Sequence, residues 1–257
     1  MTASNWRPDP AMGVFDSLLV VGGEPVELEA HLGRLGRTLL QVYGAELPSE
    51  VREQVIPVAA PFELGRLRVT AVPALVGFEI EMAARPLDPA LMFPAAGAAL
   101  SSVERPGGHG PHKWADRRGM EHPEAGSGQL IRDGEELLEA GWANLFAVRE
   151  ETLWTPPADG RILPGIARAA LLEIAEEEGI PAHEQPLHAS GLYAAEETFL
   201  TNSVRGIEPA TSLDGTELPG CGRVSDRLAT ALQRRWRLTA EALPASLGAP
   251  RADQLSH

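Results

Sequence analysis

A run of proline and glycine residues near the middle of the chain constrains the fold more than any other sequence feature. The segment Arg105-Pro-Gly-Gly-His-Gly-Pro111 cannot continue a helix or a central strand, because proline lacks a backbone donor and glycine weakens both structures. It separates a mixed α/β front half from a back half with a different pattern. The segment therefore predicts a linker between two lobes.

The front half carries one strong helical pattern. Apolar residues recur every three or four positions and Gly44 follows as a natural stop, which predicts a helix from about Leu28 to Tyr43. Weaker patterns predict strands at 13–21, 64–72 and 75–83, with a turn at Pro73-Ala74, a short helix or extended link at 50–60, and an irregular connection at 84–100.

The back half reads as short strands joined by turns. Hairpins are predicted around Asp133-Gly134 and around Arg149-Glu150-Glu151, where alternating strands flank residues that favour turns. Further elements are a helix from Gly165 to about Glu178, a strand at 197–201, a hairpin around Asp214-Gly215 and a final helix from about Asp226 to Ala242.

Charge and cysteine usage exclude several classes of function. The net charge of −14 leaves no basic block for phosphates, so no nucleic-acid partner is expected. The apolar runs are too short and broken for a membrane span. One cysteine, Cys221, excludes an intramolecular disulfide, and the scattered histidines predict no metal site. The N-terminal residues do not resemble a secretory signal, so we expect a cytoplasmic protein.

Lys113 follows the linker directly and is the only lysine among 257 residues, whereas 21 residues are arginine. A composition biased toward arginine explains the scarcity of lysine wherever only positive charge is wanted. A guanidinium stays protonated, however, whereas a lysine amine can become neutral and attack a carbonyl. The surviving lysine is therefore a candidate for amine chemistry at a lobe interface, where small-molecule sites often lie.

Four further segments agree with an amine site at Lys113. They are Glu29-Ala-His31-Leu-Gly-Arg34-Leu35, Glu139-Ala-Gly-Trp-Ala-Asn144-Leu-Phe146, Ile162-Leu-Pro-Gly165-Ile166-Ala167-Arg168 and Thr201-Asn202-Ser203. Each motif is weak when taken alone. In this order they resemble the class IV aminotransferases, the fold-type IV family of pyridoxal-phosphate (PLP) enzymes, and the resemblance extends from about Gly13 to Gly215.

The resemblance implies a role for each matched residue. Lys113 corresponds to the lysine that holds the PLP aldehyde as a Schiff base, and Glu139 to the carboxylate that keeps the pyridine nitrogen protonated. Asn144 helps to shape the cofactor pocket. The other matched positions surround the phosphate at a helix N-terminus: Arg34, Gly165, Ile166, Ala167, Asn202 and Ser203. The family often has threonine at position 167, so one hydroxyl bond of about 1 kcal/mol is lost here.

The resemblance also implies an α/β (α+β) fold of two lobes. Residues 1–105 would form a small N-terminal lobe, 106–112 the linker, and 113–257 a C-terminal PLP-anchoring lobe with a barrel-like sheet. Members of the family are usually homodimers that act on small-molecule amino substrates, and both properties are expected here.

The segment FLTNSVRGIEP at 199–209 resembles that of the lyase-like members of the family, and the resemblance favours 4-amino-4-deoxychorismate lyase, which releases pyruvate and 4-aminobenzoate, a folate precursor. A transaminase of the branched-chain or D-amino-acid type is the alternative, and a catalytically inactive binding protein is a third possibility. Gly13-Val14-Phe15-Asp16-Ser17 departs from the GVFET-type strand of the family, which leaves the substrate open.

Other polar residues have two open interpretations. Arg105 and Arg205 either pair with a substrate carboxylate or are surface charges. The histidines at 31, 109 and 112 are expected at a pocket rim or on the surface. Asp116 and Arg117 could form a local ion pair that contributes little to stability.

Overall fold

The structure is a computed structural model that describes residues 7–118 and 127–238. Its α-helices are α1 (Leu28–Tyr43), α2 (Val51–Ala59), α3 (Ile166–Glu177), α4 (Ala189–Tyr193) and α5 (Arg223–Arg235). Its β-strands are β1 (Val14–Val21), β2 (Glu24–Pro25), β3 (Leu64–Pro73), β4 (Phe78–Pro86), β5 (Ala98–Glu104), β6 (Ser127–Asp133), β7 (Glu136–Ala140), β8 (Ala143–Arg149), β9 (Thr152–Thr155), β10 (Ala182–Glu184), β11 (Leu187–His188), β12 (Glu197–Asn202), β13 (Gly206–Leu213) and β14 (Thr216–Glu217).

Strands β1 to β4 form an antiparallel sheet in the order β2-β1-β3-β4. Burial alternates along β3, with Leu67, Val69 and Ala71 buried in a core that also contains Leu35 and Leu39 of α1. Because successive side chains of a strand point to opposite faces, the residues between these apolar positions lie on the other face of the sheet. That other face contributes to the cavity described below.

The remaining strands form a ten-stranded sheet, six of which close into a barrel. The order β8-β12-β13-β5-β6-β7 returns to β8 through pairing of β7 with β8. Leu145 and Phe146 are neighbours on β8 yet belong to different apolar clusters, so both faces of this strand are covered. Phe146 stacks on Phe199 with ring centroids 5.2 Å apart, in the cluster that also includes Leu171 of α3.

Most of the predicted elements are confirmed. Helix α1 has the predicted bounds, the stretch at 50–60 is helical, and the hairpins around Asp133-Gly134 and Asp214-Gly215 pair as expected. The fold class is also confirmed, since a closed barrel and a separate sheet are both present. The final helix ends at Arg235, and positions 239–242 of its predicted range lie outside the described residues.

Two elements differ from the prediction. Strand β4 begins at Phe78 rather than at position 75, because Leu75 lies in the turn that joins β3 to β4. The connection at 84–100 was expected to be irregular, but β5 begins within it and pairs in parallel with β6 and β13. The lobe boundary at residue 105 stays a prediction, although β5 precedes it and pairs within the barrel.

No helix in the ranges 7–118 and 127–238 combines the length and the apolar character needed to cross a membrane.

Candidate active site

A cavity of about 400 Å³ lies between the four-stranded sheet and the barrel. Its lining includes all but one of the residues predicted for the cofactor site: Arg34, Lys113, Glu139, Asn144, Gly165, Ala167, Asn202 and Ser203. The exception is Ile166, which is the first residue of α3. The fold therefore brings together residues that are as much as 169 positions apart in the sequence, from Arg34 to Ser203.

Lys113 is held by the four-stranded sheet, although it lies outside every named strand. The backbone N–H of Phe15 donates to the carbonyl of Lys113 at 2.9 Å, and the N–H of Ala115 donates to Gly13 at 3.0 Å. Trp114 forms an isolated antiparallel bridge with Val14. These bonds fix the backbone on both sides of the lysine against β1, so that the side chain extends from a rigid base.

The surroundings of Lys113 favour its neutral form. Burial lowers the pKa of the Lys113 amine to about 7, with further lowering from Arg34 and Arg117, while Asp16 acts in the opposite direction. An amine with this pKa is largely a free base at slightly alkaline pH. The geometry therefore supports the amine chemistry that the single lysine suggested.

Glu139 is a buried carboxyl group at the end of β7. It faces Asn144 across the tight hairpin with β8, and the Asn144 Nδ2 group donates to its Oε2 at 3.3 Å. The N–H of Leu163 donates to both carboxylate oxygens, at 3.2 and 3.1 Å. Burial raises the pKa of Glu139 to about 8, although the Leu163 bond and the charges of Arg117 and Lys113 oppose this shift. Glu139 can therefore share a proton with a basic ring nitrogen near neutral pH.

The N-terminus of α3 packs against Asn144. Asn144 Nδ2 also donates to the carbonyl of Leu163 at 3.0 Å, which orders the chain entering the helix. A Cβ atom at Gly165 would lie only 2.0 Å from Asn144 Oδ1, so no other residue fits there without displacing the amide. No side chain caps α3 at Gly165. Its first backbone N–H groups and the positive end of its dipole are therefore available for an anion.

Arg34 lines the cavity, but its charge is already paired. Its Nε donates to Asp16 Oδ2 at 2.9 Å, its Nη2 to Asp16 Oδ1 at 2.7 Å, and its Nη1 to the Pro164 carbonyl at 3.1 Å. His31 Nδ1 also lies 2.9 Å from Asp16, so the expectation that His31 lies at the rim or surface is wrong. Burial alone would raise the pKa of Asp16, but Arg34 and His31 hold it well below its usual range.

The turn after β12 forms another wall of the cavity. Asn202 Oδ1 accepts from the N–H groups of Val204 and Arg205 at 3.0 and 2.9 Å, so this asparagine shapes the turn, whereas Ser203 lines the cavity. Arg205 also lines the cavity and pairs with buried Glu208 at 2.8 Å.

Other expectations for polar residues are settled by the geometry. Arg105 is buried and does not line the cavity, whereas His109 and His112 do. Asp116 pairs with Arg118 at 2.9 Å, so the predicted pair with Arg117 is wrong. The local sequence could not distinguish two adjacent arginines.

Sequence reasoning missed a group of cavity arginines. Arg66 and Arg68 on β3 and Arg85 on β4 line the cavity, together with Arg117, whose Nη2 donates to the Gly141 carbonyl at 2.5 Å. Arginines at alternate strand positions are more often a solvated face, and only the packing of the sheet against the barrel makes this face part of a pocket. The sequence pattern placed Phe15 only in the segment from Gly13 to Ser17. In the structure, the guanidinium carbon of Arg68 lies 4.1 Å from the centre of the Phe15 ring.

Comparisons with known proteins agree with this arrangement. Residues 113–213 match the family model described as amino-transferase class IV. A branched-chain-amino-acid aminotransferase of Salmonella typhimurium is 39% identical over 97 residues, covering 37% of this chain and 31% of that protein. A D-alanine aminotransferase of Listeria monocytogenes is 32% identical over 89 residues, covering 35% and 31%. The chain thus spans about a third of the length of the curated relatives it matches.

Solved structures extend the similarity over nearly the whole chain. The crystal structure of 4-amino-4-deoxychorismate lyase from Pseudomonas aeruginosa superposes with a TM-score of 0.73 and 26% identity, covering 91% of this chain and 96% of that one. The matched segment begins at Lys113 and includes Glu139, Asn144, Gly165 and Ser203. The chain is therefore similar to class IV aminotransferases, in sequence over residues 113–213 and in fold over nearly its whole length.

Proposed function

We propose that the chain is a PLP-dependent enzyme that acts as a 4-amino-4-deoxychorismate lyase, releasing pyruvate and 4-aminobenzoate. The observation that carries the cofactor assignment is that one cavity contains a near-neutral amine, a buried carboxyl group and an uncapped helix N-terminus. These three groups are chemically different, and each suits a different part of PLP.

The residues present fit the cofactor. Lys113 supplies the amine for the aldehyde, Glu139 the carboxyl group for the pyridine nitrogen, and the N–H groups at Gly165, Ile166 and Ala167 the donors for the phosphate. Ser203 lies on the cavity wall, where its hydroxyl can add a donor. When bound, PLP supplies an electron sink for the pair left behind by proton removal at the substrate's reacting carbon.

The protein groups then have defined tasks. The Lys113 amine, whose pKa burial lowers to about 7, would act as the base that moves the proton at the substrate's reacting carbon. Asn144 and Leu163 fix the orientation of the Glu139 carboxyl group, which would keep a proton at the ring nitrogen of the cofactor. The bidentate pair of Arg34 with Asp16 braces the loop at Pro164 that leads into α3.

One observation supports the lyase over a transaminase. The segment Thr201–Arg205, whose Asn-Ser pair resembles that of lyases, lines the cavity itself. Solved structures of a lyase and of a branched-chain amino acid aminotransferase both cover more than 90% of this chain, so they do not separate the two activities. A branched-chain or D-amino-acid transaminase is the alternative, because the curated relatives with 39% and 32% identity carry those activities.

The first test of the proposal is the visible absorption of the purified protein with added PLP, before and after borohydride. We expect a yellow band, loss of that band on reduction, and label on the peptide that contains Lys113. Lys113→Arg is a sharp control, since it removes the only lysine side chain in the chain. A wild-type protein that takes up no PLP would overturn the cofactor assignment and favour the binding-protein alternative.

The second test separates the two activities. The lyase should convert 4-amino-4-deoxychorismate to pyruvate with no keto-acid acceptor present. Formation of the pyridoxamine form and a keto acid from a branched-chain or D-amino acid would instead establish the transaminase. The proposal also includes a cytoplasmic location and a homodimer, and light scattering after size-exclusion chromatography tests the homodimer.

A further inference from the structure

Three arginines of the four-stranded sheet face the cavity from the side opposite the barrel. Arg66 and Arg68 are two positions apart on β3, so they lie on one face, and Arg85 of β4 is the direct cross-strand partner of Arg66. All three line the cavity. Arg66 and Arg68 are partly buried, whereas Arg85 is exposed and lies at the rim.

Within the described part of the chain, none of these three arginines has an ion pair. This distinguishes them from two other arginines of the lining, since Arg34 pairs with Asp16 and Arg205 with Glu208. Arg68 lies over the Phe15 ring, and its Nε is buried without a hydrogen-bond partner. Partly buried guanidinium groups that lie side by side repel one another, and burial with this repulsion lowers the pKa of Arg66 to about 10. The protein holds this positive charge at a cost in stability.

The cavity as a whole is positively charged in an acidic protein. Among its described lining residues the only carboxyl group is Glu139, against one lysine and six arginines. The net charge of the chain is −14, so the cationic cavity is a local feature. Such a site raises the local concentration of anions and favours their entry.

The proposed cofactor does not use the positive charge on β3 and β4. Its aldehyde, ring nitrogen and phosphate are assigned to Lys113, Glu139 and the N-terminus of α3. We infer that Arg66 and Arg68, with Arg85 at the rim, form an anion subsite for a substrate that carries two carboxylates apart from its reacting amine. This inference rests on the proposed function and names the residues that select its substrate.

The number of guanidinium groups favours a dianion over a monoanion. One carboxylate can accept two parallel bonds from a single arginine, which leaves a second arginine beside it without a partner. A substrate with an apolar side chain beside Arg66 and Arg68 would leave both guanidinium groups desolvated and unpaired. The free-energy penalty excludes such substrates. The subsite therefore disfavours branched-chain amino acids and favours a compact dicarboxylate.

Calorimetry of ligand binding to the PLP-loaded protein tests this subsite without turnover. The probes are benzene-1,3-dicarboxylate, benzoate and the neutral benzene-1,3-dicarboxamide, which share one ring and differ in charge. The variants are Arg66→Gln and Arg68→Gln, with Arg66→Lys to keep charge but lose the planar fork. Arg37→Gln is the control, because Arg37 is an exposed arginine outside the cavity.

We expect the wild type to bind the dicarboxylate at least about tenfold more tightly than benzoate, and the diamide weakest. Each glutamine variant should lose about tenfold or more of the dicarboxylate affinity, Arg66→Lys should lose less, and Arg37→Gln should stay within about twofold. Equal affinity for the diamide and the dicarboxylate, or glutamine variants that bind like the wild type, would overturn the subsite.

The visible PLP band of each variant is recorded separately, so a failure of cofactor binding is distinguished from a failure of the subsite. A yellow wild type with no preference for dicarboxylates would contradict the subsite alone. A colourless wild type would contradict the proposed function. In that case, calorimetry of the protein without PLP tests the proposed subsite. The subsite proposal is retained only if binding of the dicarboxylate still depends on Arg66 and Arg68.

Discussion

Asp16 binds the guanidinium of Arg34 at two atoms, and both side chains are almost fully buried, at 1% and 4% exposure. The arginine that the sequence suggested for the cofactor phosphate is thus neutralised by a carboxylate from β1. Arg34 therefore contributes less net charge to an anion in the cavity than its position implies. Its main contribution is structural, because its hydrogen bonds connect α1 to β1 and to the loop at Pro164.

Replacing Asp16 with asparagine should destabilise the protein strongly. The change leaves Arg34 buried without its counter-charge, and breaking a buried pair in this way costs about 3 kcal/mol or more. Urea unfolding measures the loss. The matched control is Glu29→Gln, which breaks the exposed pair of Glu29 with Arg52 and should change stability by less than about 0.5 kcal/mol. Equal effects of the two variants would contradict the structural role assigned to Asp16.

The same pair predicts a pH dependence. The pKa of Asp16 is lower in the folded protein than in the unfolded chain, where it is about 4, so the unfolded state binds more protons. The stabilisation is fully present above pH 4 and is lost as the pH falls toward the folded-state pKa. Asp16→Asn should therefore flatten the acid limb of a stability profile measured by urea unfolding between pH 5 and 2. An unchanged acid limb would show that other carboxyl groups dominate it.

The rate of PLP uptake should rise with pH through about 7 and then level off. Lys113 is about nine-tenths neutral at pH 8, whereas well under a hundredth of an ordinary lysine is neutral there. Stopped-flow absorbance gives the rate, and an acetylated lysine amide in solution serves as the reference. If the rate of PLP uptake by the protein has its pH midpoint above 9, burial does not lower the pKa of this amine.

Glu139→Gln should preserve cofactor uptake but reduce turnover by about a hundredfold or more. Glutamine keeps the size of the side chain and can accept the Leu163 bond, but it cannot hold a proton shared with the ring nitrogen. The two readouts are the visible band and the rate of pyruvate release. Loss of the band together with activity would instead indicate that Glu139 acts mainly in assembling the pocket.

Gly165→Ala should weaken PLP binding and destabilise the protein by about 1–3 kcal/mol, because the new methyl group displaces the Asn144 amide. Gly36→Ala is the control. A Cβ atom there would lie 3.7 Å from Leu47 Cβ, and alanine improves helix propensity within α1 by about 1 kcal/mol. The midpoint temperature of thermal unfolding, measured with and without PLP, should fall for Gly165→Ala and rise for Gly36→Ala. A Gly165→Ala protein as stable as the wild type would show that Asn144 can move freely.

The local elements of the site were predictable from the sequence. Helix α1, strands β7 and β8 and the start of α3 all carry short-range signals, and they place Glu139 near the end of β7 and Gly165 at the start of α3. Family resemblance then supplied the roles. These residues converge on one cavity as expected, which short-range patterns alone could not show.

The missed features all depend on long-range packing. Strand β5 pairs in parallel with β13, more than 100 residues away, and nothing local in its alanine-rich sequence predicts that partner. The Asp16–Arg34 pair joins a strand to a helix. The role of Arg66 and Arg68 depends on which layer covers their face of β3, and strand alternation gives the face but not its neighbour.

The backbone bonds that tie Lys113 to Phe15 and Ala115 to Gly13 place the lysine beside one sheet, while Glu139 and α3 belong to the other. In the proposed enzyme, a ligand that touches all three bridges two separately built layers. Part of the free energy of ligand binding must then stabilise the packing of the two sheets against each other. Cofactor supply would then govern how firmly the two layers are held together.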